Sequence, residues 1–188
     1  MGPKPPFEFL APLVRFVLFW VGVSLVIGGI CTIEKLQQPD LDACRKNGDC
    51  VQLSQAGLAF AWTEDAYAAV NGWSEPTRKR AGEALRADSW LLVPGYVLVL
   101  GILCGAAARR PDGRSYRRLG VAIAWLVFAA GAADLAENTL IGMALERPGG
   151  AVLSALAVVV SLKWALLVIA VLYATVTPLS RWVLGGRG

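Results

Sequence analysis

The chain has 188 residues, of which 56% are hydrophobic and 17% charged, with a net charge of +4. A soluble globular domain carries about 25% charged residues, so this composition, with a mean hydropathy of +0.54, indicates a membrane protein of one domain spanning residues 1–188. There is no histidine, which removes His-based triads, HExxH zinc sites and bis-His haem ligation; proton chemistry is left to Asp, Glu, Lys, Tyr or Cys.

Crossing the hydrocarbon core takes roughly 20 apolar residues. Span one runs from about Leu10 to Ile33. It exceeds the about 7–15 apolar residues of a signal-peptide core and shows no small-x-small cleavage site. Its end, Gly28-Gly29-Ile30-Cys31, has the outline of a lipoprotein box, but Ile30 is too large for the position before the Cys. Arg15 near the start of the span can snorkel to the surface.

A loop from about Glu34 to Asp88 follows. Pro39-Asp40 and Asn47-Gly48-Asp49 are turn signals. Cys44 and Cys50 bracket the second, so a disulfide closing this small loop is expected in an oxidising compartment. From Gln52 to Val70, Leu53, Ala56, Phe60, Tyr67 and Val70 recur at helical spacings, flanked by Trp62 and Trp73. The pattern predicts one amphipathic helix lying on the membrane face or capping the bundle. Ser74-Glu75-Pro76 starts another short helix, with Ser74 as N-cap and proline in the first turn.

Span two runs from about Trp90 to Ala108. Pro94 is expected to kink it, and Gly101 and Gly105 form a GxxxG pair suited to close internal packing. The next loop holds Arg109, Arg110, Arg114, Arg117 and Arg118 against one acid, Asp112. It lacks interleaved aromatic side chains on which bases stack, so it reads as a topology signal rather than a nucleic-acid site. By the positive-inside rule it is cytoplasmic. Both termini are then cytoplasmic too, in a multi-pass protein of the plasma (inner) membrane, and the 34–88 loop faces outward. Arg78-Lys79-Arg80 runs against this, in a loop long enough to obey the rule less strictly.

Span three runs from about Leu119 to Leu145, small-residue-rich from Ala129 to Ala133, and span four from about Ala151 to Thr177. Their short connection makes them antiparallel neighbours. Spacings of three and four put Asp134, Glu137 and Asn138 on one face of span three. Span four carries Lys163. Counted from the outer ends at about 1.5 Å per residue, Asp134 lies roughly 16 Å deep and Lys163 roughly 18 Å, with Tyr96 and Glu137 near 12 Å. An Asp134–Lys163 pair is therefore expected, with Tyr96, Asn138 and Ser161 supplying hydrogen bonds. A charge at the bilayer centre costs at least about 2.5–3.5 kcal/mol, so these groups should face inward and pair. Two acids share one lysine, so either one acid keeps its proton or the site exchanges a proton or cation. A functional proton, cation or headgroup pocket and a structural knot that fixes helix register both fit.

Four spans with outer cysteines resemble, in architecture alone, the vitamin K epoxide reductase family of disulfide-forming quinone reductases. That family's Cys-x-x-Cys pair is absent. The set Asp88…Tyr96, Asp134-x-x-Glu137-Asn138 and Lys163-Trp164 resembles the pattern of uncharacterised bacterial multi-pass membrane proteins over roughly the C-terminal 100 residues; the resemblance implies no activity.

The expected architecture is an all-α four-helix transmembrane bundle with a helical extracytoplasmic loop. Three functions fit: a binding or accessory subunit of a membrane complex, a small proton- or cation-coupled transporter, or a membrane enzyme acting on a lipid or quinone. The missing nucleophile–base pair weakens the enzyme, and the missing inverted repeat weakens the transporter. The partners expected are the lipid bilayer and another membrane protein or a second copy, with no nucleic acid, metal or cofactor.

Overall fold

The computed structural model describes residues 4–47, 55–60, 62–63, 73–108, 114–147 and 149–184. Among them every regular element is helical: α1 (Pro12–Asn47), α2 (Gln55–Phe60), α3 (Glu75–Ala87), a π-helical turn (Asp88–Leu92), α4 (Val93–Ala108), α5 (Arg114–Glu146) and α6 (Gly150–Leu184). Four stretches are long and apolar enough to cross a membrane: Pro12–Pro39, Glu75–Ala108, Arg117–Glu146 and Gly150–Val176. Their outward faces carry large exposed apolar side chains, among them Phe16, Trp20, Val158, Val168 and Leu172, as a lipid solvent requires.

The helices overrun the expected spans. Glu75–Ala108 is a continuous helical run of 34 residues, about 50 Å at 1.5 Å per residue, against a hydrocarbon core of about 30 Å. Its first section, α3, is polar and starts where the sequence indicates. Ser74 Oγ accepts from the Thr77 N–H at 3.4 Å, and proline sits in the first turn. α1 likewise continues for 36 residues and passes through Pro39, so the turn expected at Pro39-Asp40 is not made. A proline inside a helix removes one backbone bond, and α1, which packs on α3 and the π-helical turn, continues through it. The single amphipathic helix expected over residues 52–70 is also corrected. α2 ends at Phe60, and Trp62 is non-helical, its indole Nε1 donating to the Ala59 carbonyl at 2.7 Å. That side-chain bond takes a carbonyl a continuing helix would use. Residues 64–72 lie outside the described residues.

Pro94 acts just ahead of itself. The turn before it widens to π geometry, with the Val93 N–H donating to the Asp88 carbonyl. Proline has no N–H, so the helix cannot keep its usual bond there; a π turn before it re-registers the chain.

α5 packs most extensively on α6 and next on α4, whereas α1 packs on α3, the π turn and α4. The α1–α4 contact is a backbone-to-backbone approach. A Cβ placed on Gly95 would lie 2.8 Å from the Val26 nitrogen and 2.9 Å from the Gly22 carbonyl oxygen. Only glycine permits that separation.

Buried side chains form two apolar clusters. One joins Cys104, Ile123, Ala124, Val127 and Ala170 towards the end where α4 and α5 connect. The other joins Leu58 and Ala59 of α2, Leu85 of α3, Ile141 and Ala144 of α5 and Leu153, Leu156 and Val160 of α6. A short segment of the 34–88 loop thus caps the far end of the long helices.

Candidate functional site

Between these clusters lies a polar layer. Asp88, Asp134, Glu137, Asn138 and Lys163 are each at most 7% exposed. Along α5 and α6 the order is the same. On α5, Ile123–Val127 is apolar, Asp134, Glu137 and Asn138 follow, and Ile141 and Ala144 close the far side. On α6, Ala170 precedes Lys163, which precedes Val160 and Leu156.

Lys163 is the hub. Its Nζ donates to Asp134 Oδ1 at 3.1 Å and forms a second ion pair with Glu137. The Tyr96 hydroxyl donates to the other Asp134 oxygen, Oδ2, at 2.9 Å. Asp134 therefore receives two donors from two neighbouring helices, one at each carboxylate oxygen. The ammonium also sits 5.5 Å from the Trp164 ring centre, within cation–π range. The structure thus brings Tyr96, Asp134, Glu137 and Lys163 together.

Asn138 makes a second node. Its Nδ2 donates to Asp88 Oδ2 at 2.6 Å and to Ser89 Oγ at 3.1 Å, while Ser89 Oγ donates to the Leu85 carbonyl at 2.9 Å. Asp88 and Ser89 belong to the π-helical turn, so the re-registered stretch is the one tied to α5. The sequence alone places Asp88 at the end of the 34–88 loop, ahead of span two and outside the polar set. The signal that finds it is Pro94: a proline six residues on implies a distorted turn that can aim an acid inward. Ser161, expected to join the set, does not. It is exposed and donates to the Ala157 carbonyl of its own helix at 2.7 Å, because its helical position points away from Lys163.

Counted back from Ala108 along the continuous helical run at about 1.5 Å per residue, Tyr96 lies about 18 Å and Asp88 about 30 Å from that end.

Among the described residues no group of three or more His, Cys, Asp or Glu side chains is placed to hold a metal ion. Cys104 is buried and its Sγ lies 3.6 Å from the Ala170 carbonyl; Cys31 is exposed and free. Cys44 falls within α1 and Cys50 outside the described residues, and no disulfide is formed among the residues described. No protein-family model, curated protein or solved structure matches the chain.

Proposed function

We propose that the chain is a binding or accessory subunit of a plasma-membrane complex, built as a four-helix transmembrane bundle whose internal charges hold the helices together. The observation that carries this reading is the polar layer's enclosure. Apolar side chains lie on both sides of it, and its side chains pair with one another across the helices. A transport site or headgroup pocket needs an opening to water or lipid, and groups at most 7% exposed offer none in this conformation. The work is then left to the outer surfaces, facing another membrane protein or a second copy. The basic 109–118 segment supports cytoplasmic termini, with the α2–α3 region outside. On that side Cys44 and Cys50 meet the oxidising conditions under which a bridge forms.

One observation favours a second reading, proton or cation coupling: Asp134 and Glu137 share a single ammonium, leaving a charge for a proton or cation to balance. Purified protein in sealed vesicles separates the two. An accessory subunit gives no proton or monovalent-cation uptake under an imposed gradient, and native mass spectrometry of membrane extracts finds it in a stoichiometric assembly. Uptake that Glu137→Gln abolishes while the protein stays folded would replace the accessory reading with the coupled one.

A further inference from the structure

The residues ahead of α1 fold back into the helices. Pro5 and Pro6 are buried. The segment turns tightly, with the Glu8 N–H donating to the Pro5 carbonyl at 3.3 Å and the Leu10 N–H to the Phe7 carbonyl at 3.2 Å. The Phe7 ring packs 5.8 Å from the Phe128 ring of α5 and over Gly101 of α4, where an added Cβ would meet the ring edge at 3.2 Å. One turn along, a Cβ on Gly105 would lie 3.5 Å from the Pro6 carbonyl oxygen and 3.7 Å from the Pro5 Cβ. The Trp125 indole donates to the Lys4 carbonyl at 3.2 Å. The Gly101-x-x-x-Gly105 pair, a helix-packing motif by sequence, is thus the floor of a groove between α4 and α5 that the chain fills with its own N-terminal segment.

Two features of the docked segment oppose docking. Phe7 has φ 64°, a left-handed backbone that a bulky residue adopts only under strain. The Glu8 Oε2 atom is buried with no hydrogen-bond partner, and an unmatched buried carboxylate oxygen is unfavourable. Apolar packing of Pro5, Pro6 and Phe7 acts in the other direction.

From this balance we infer that residues 4–10 form a reversible latch, docked by Phe7 and the proline pair and loosened by the Phe7 backbone and Glu8. Its release opens the glycine-floored groove to the surrounding lipid.

The test uses the full chain in membrane vesicles with Cys31, Cys44 and Cys50 changed to Ser and Cys104 to Ala. Pro5→Cys is then combined with Gly105→Cys. The 3.7 Å between their Cβ positions falls within the roughly 3.5–4.5 Å of a disulfide. Under mild oxidation a latch forms the cross-link. Adding Phe7→Ala slows it severalfold, and adding Glu8→Leu speeds it severalfold. Labelling of Gly105→Cys alone by a lipid-soluble maleimide changes in the opposite sense, rising with Phe7→Ala and falling with Glu8→Leu. Absence of the cross-link overturns the inference, because the segment is then not in the groove. Cross-linking and labelling that neither substitution alters, or that both alter in the same direction, also overturn it, since the segment is then a fixed part of the fold. Helix content and particle size of each variant separate these outcomes from misfolding.

Discussion

Two interfaces hold these helices together by different means. Where α4, α5 and α6 meet, a lysine, two carboxylates and a tyrosine are matched atom to atom. Where α1 meets α4, the contact is one of shape, with Gly22 and Gly95 bringing two backbones together. The apolar window of α5 is 44% buried and that of α1 only 11%, so α1 lies on the outside of an assembly the other three helices make. In lipid, burying apolar surface does not itself drive helices together, and polar pairing or close backbone packing must do so. This chain uses each at a separate interface, which makes the interfaces separately breakable.

The largest effect should come from the charged interface. Lys163→Met leaves Asp134 and Glu137 without their ammonium, and breaking a buried pair on one side costs about 3–5 kcal/mol. Thermal unfolding in detergent should show a marked drop for Lys163→Met. Much of it should return in the Lys163→Met/Asp134→Asn double variant, which removes a charge of each sign. If the two substitutions simply add, the residues are not coupled and the polar layer does not hold the helices.

The glycine interface should break next, and alone. A Cβ at Gly95 meets backbone atoms of α1 at 2.8 and 2.9 Å, and backbone cannot move aside as a side chain can. Gly95→Val should destabilise by about 1–3 kcal/mol, as overpacking does. The loss should appear as freer α1, read by cross-linking between α1 and α4, with the α5–α6 contact kept. Gly28 is the matched control: nothing lies within 4 Å of a Cβ there. Gly28→Ala should be neutral or slightly stabilising, since alanine is the better helix former by up to about 1 kcal/mol. Equal losses at Gly95 and Gly28 would mean that the close approach is not what joins α1 to α4.

The difference between the interfaces also decides what the sequence reveals. Charges inside an apolar run are conspicuous, and their spacing of three and four places Asp134, Glu137 and Asn138 on one face; Lys163 and Tyr96 follow from depth. The four long helices are legible for the same reason, as uninterrupted apolar length. Shape contacts leave no such mark. Gly22 and Gly95 look like any glycines in a span, and Gly101 and Gly105 match a helix-packing motif while receiving Pro5, Pro6 and Phe7 instead. The ends of α1 and α2 are not legible in the sequence because local signals are overruled. α1 passes the Pro39 turn signal while packed on α3, and the periodicity across 52–70 does not sense the Trp62–Ala59 bond that takes up a helix-end carbonyl.

The smallest effect concerns two hydroxyls that the sequence alone ranks as equals. Tyr96 and Ser161 both lie at polar-layer depth. Yet the Tyr96 hydroxyl donates across helices to Asp134 at 2.9 Å, and the Ser161 hydroxyl donates within its own helix to Ala157. Hydrogen bonds between membrane helices average about 0.6 kcal/mol and reach about 1.7 kcal/mol. A bond to a charged acceptor belongs at the upper end, since it is charge-assisted. Tyr96→Phe keeps the ring and removes only the donor, so thermal unfolding should show a loss of about 1–2 kcal/mol. Ser161→Ala removes a bond that an exposed side chain makes to a carbonyl already engaged in its helix, and should leave stability unchanged. Because Lys163 and Tyr96 hold opposite oxygens of the same carboxylate, the Tyr96→Phe loss should also shrink once Asp134 is Asn. A Tyr96→Phe cost that is the same with Asp134 or Asn in place would place the hydroxyl outside the charged network and reduce that interface to its ion pairs.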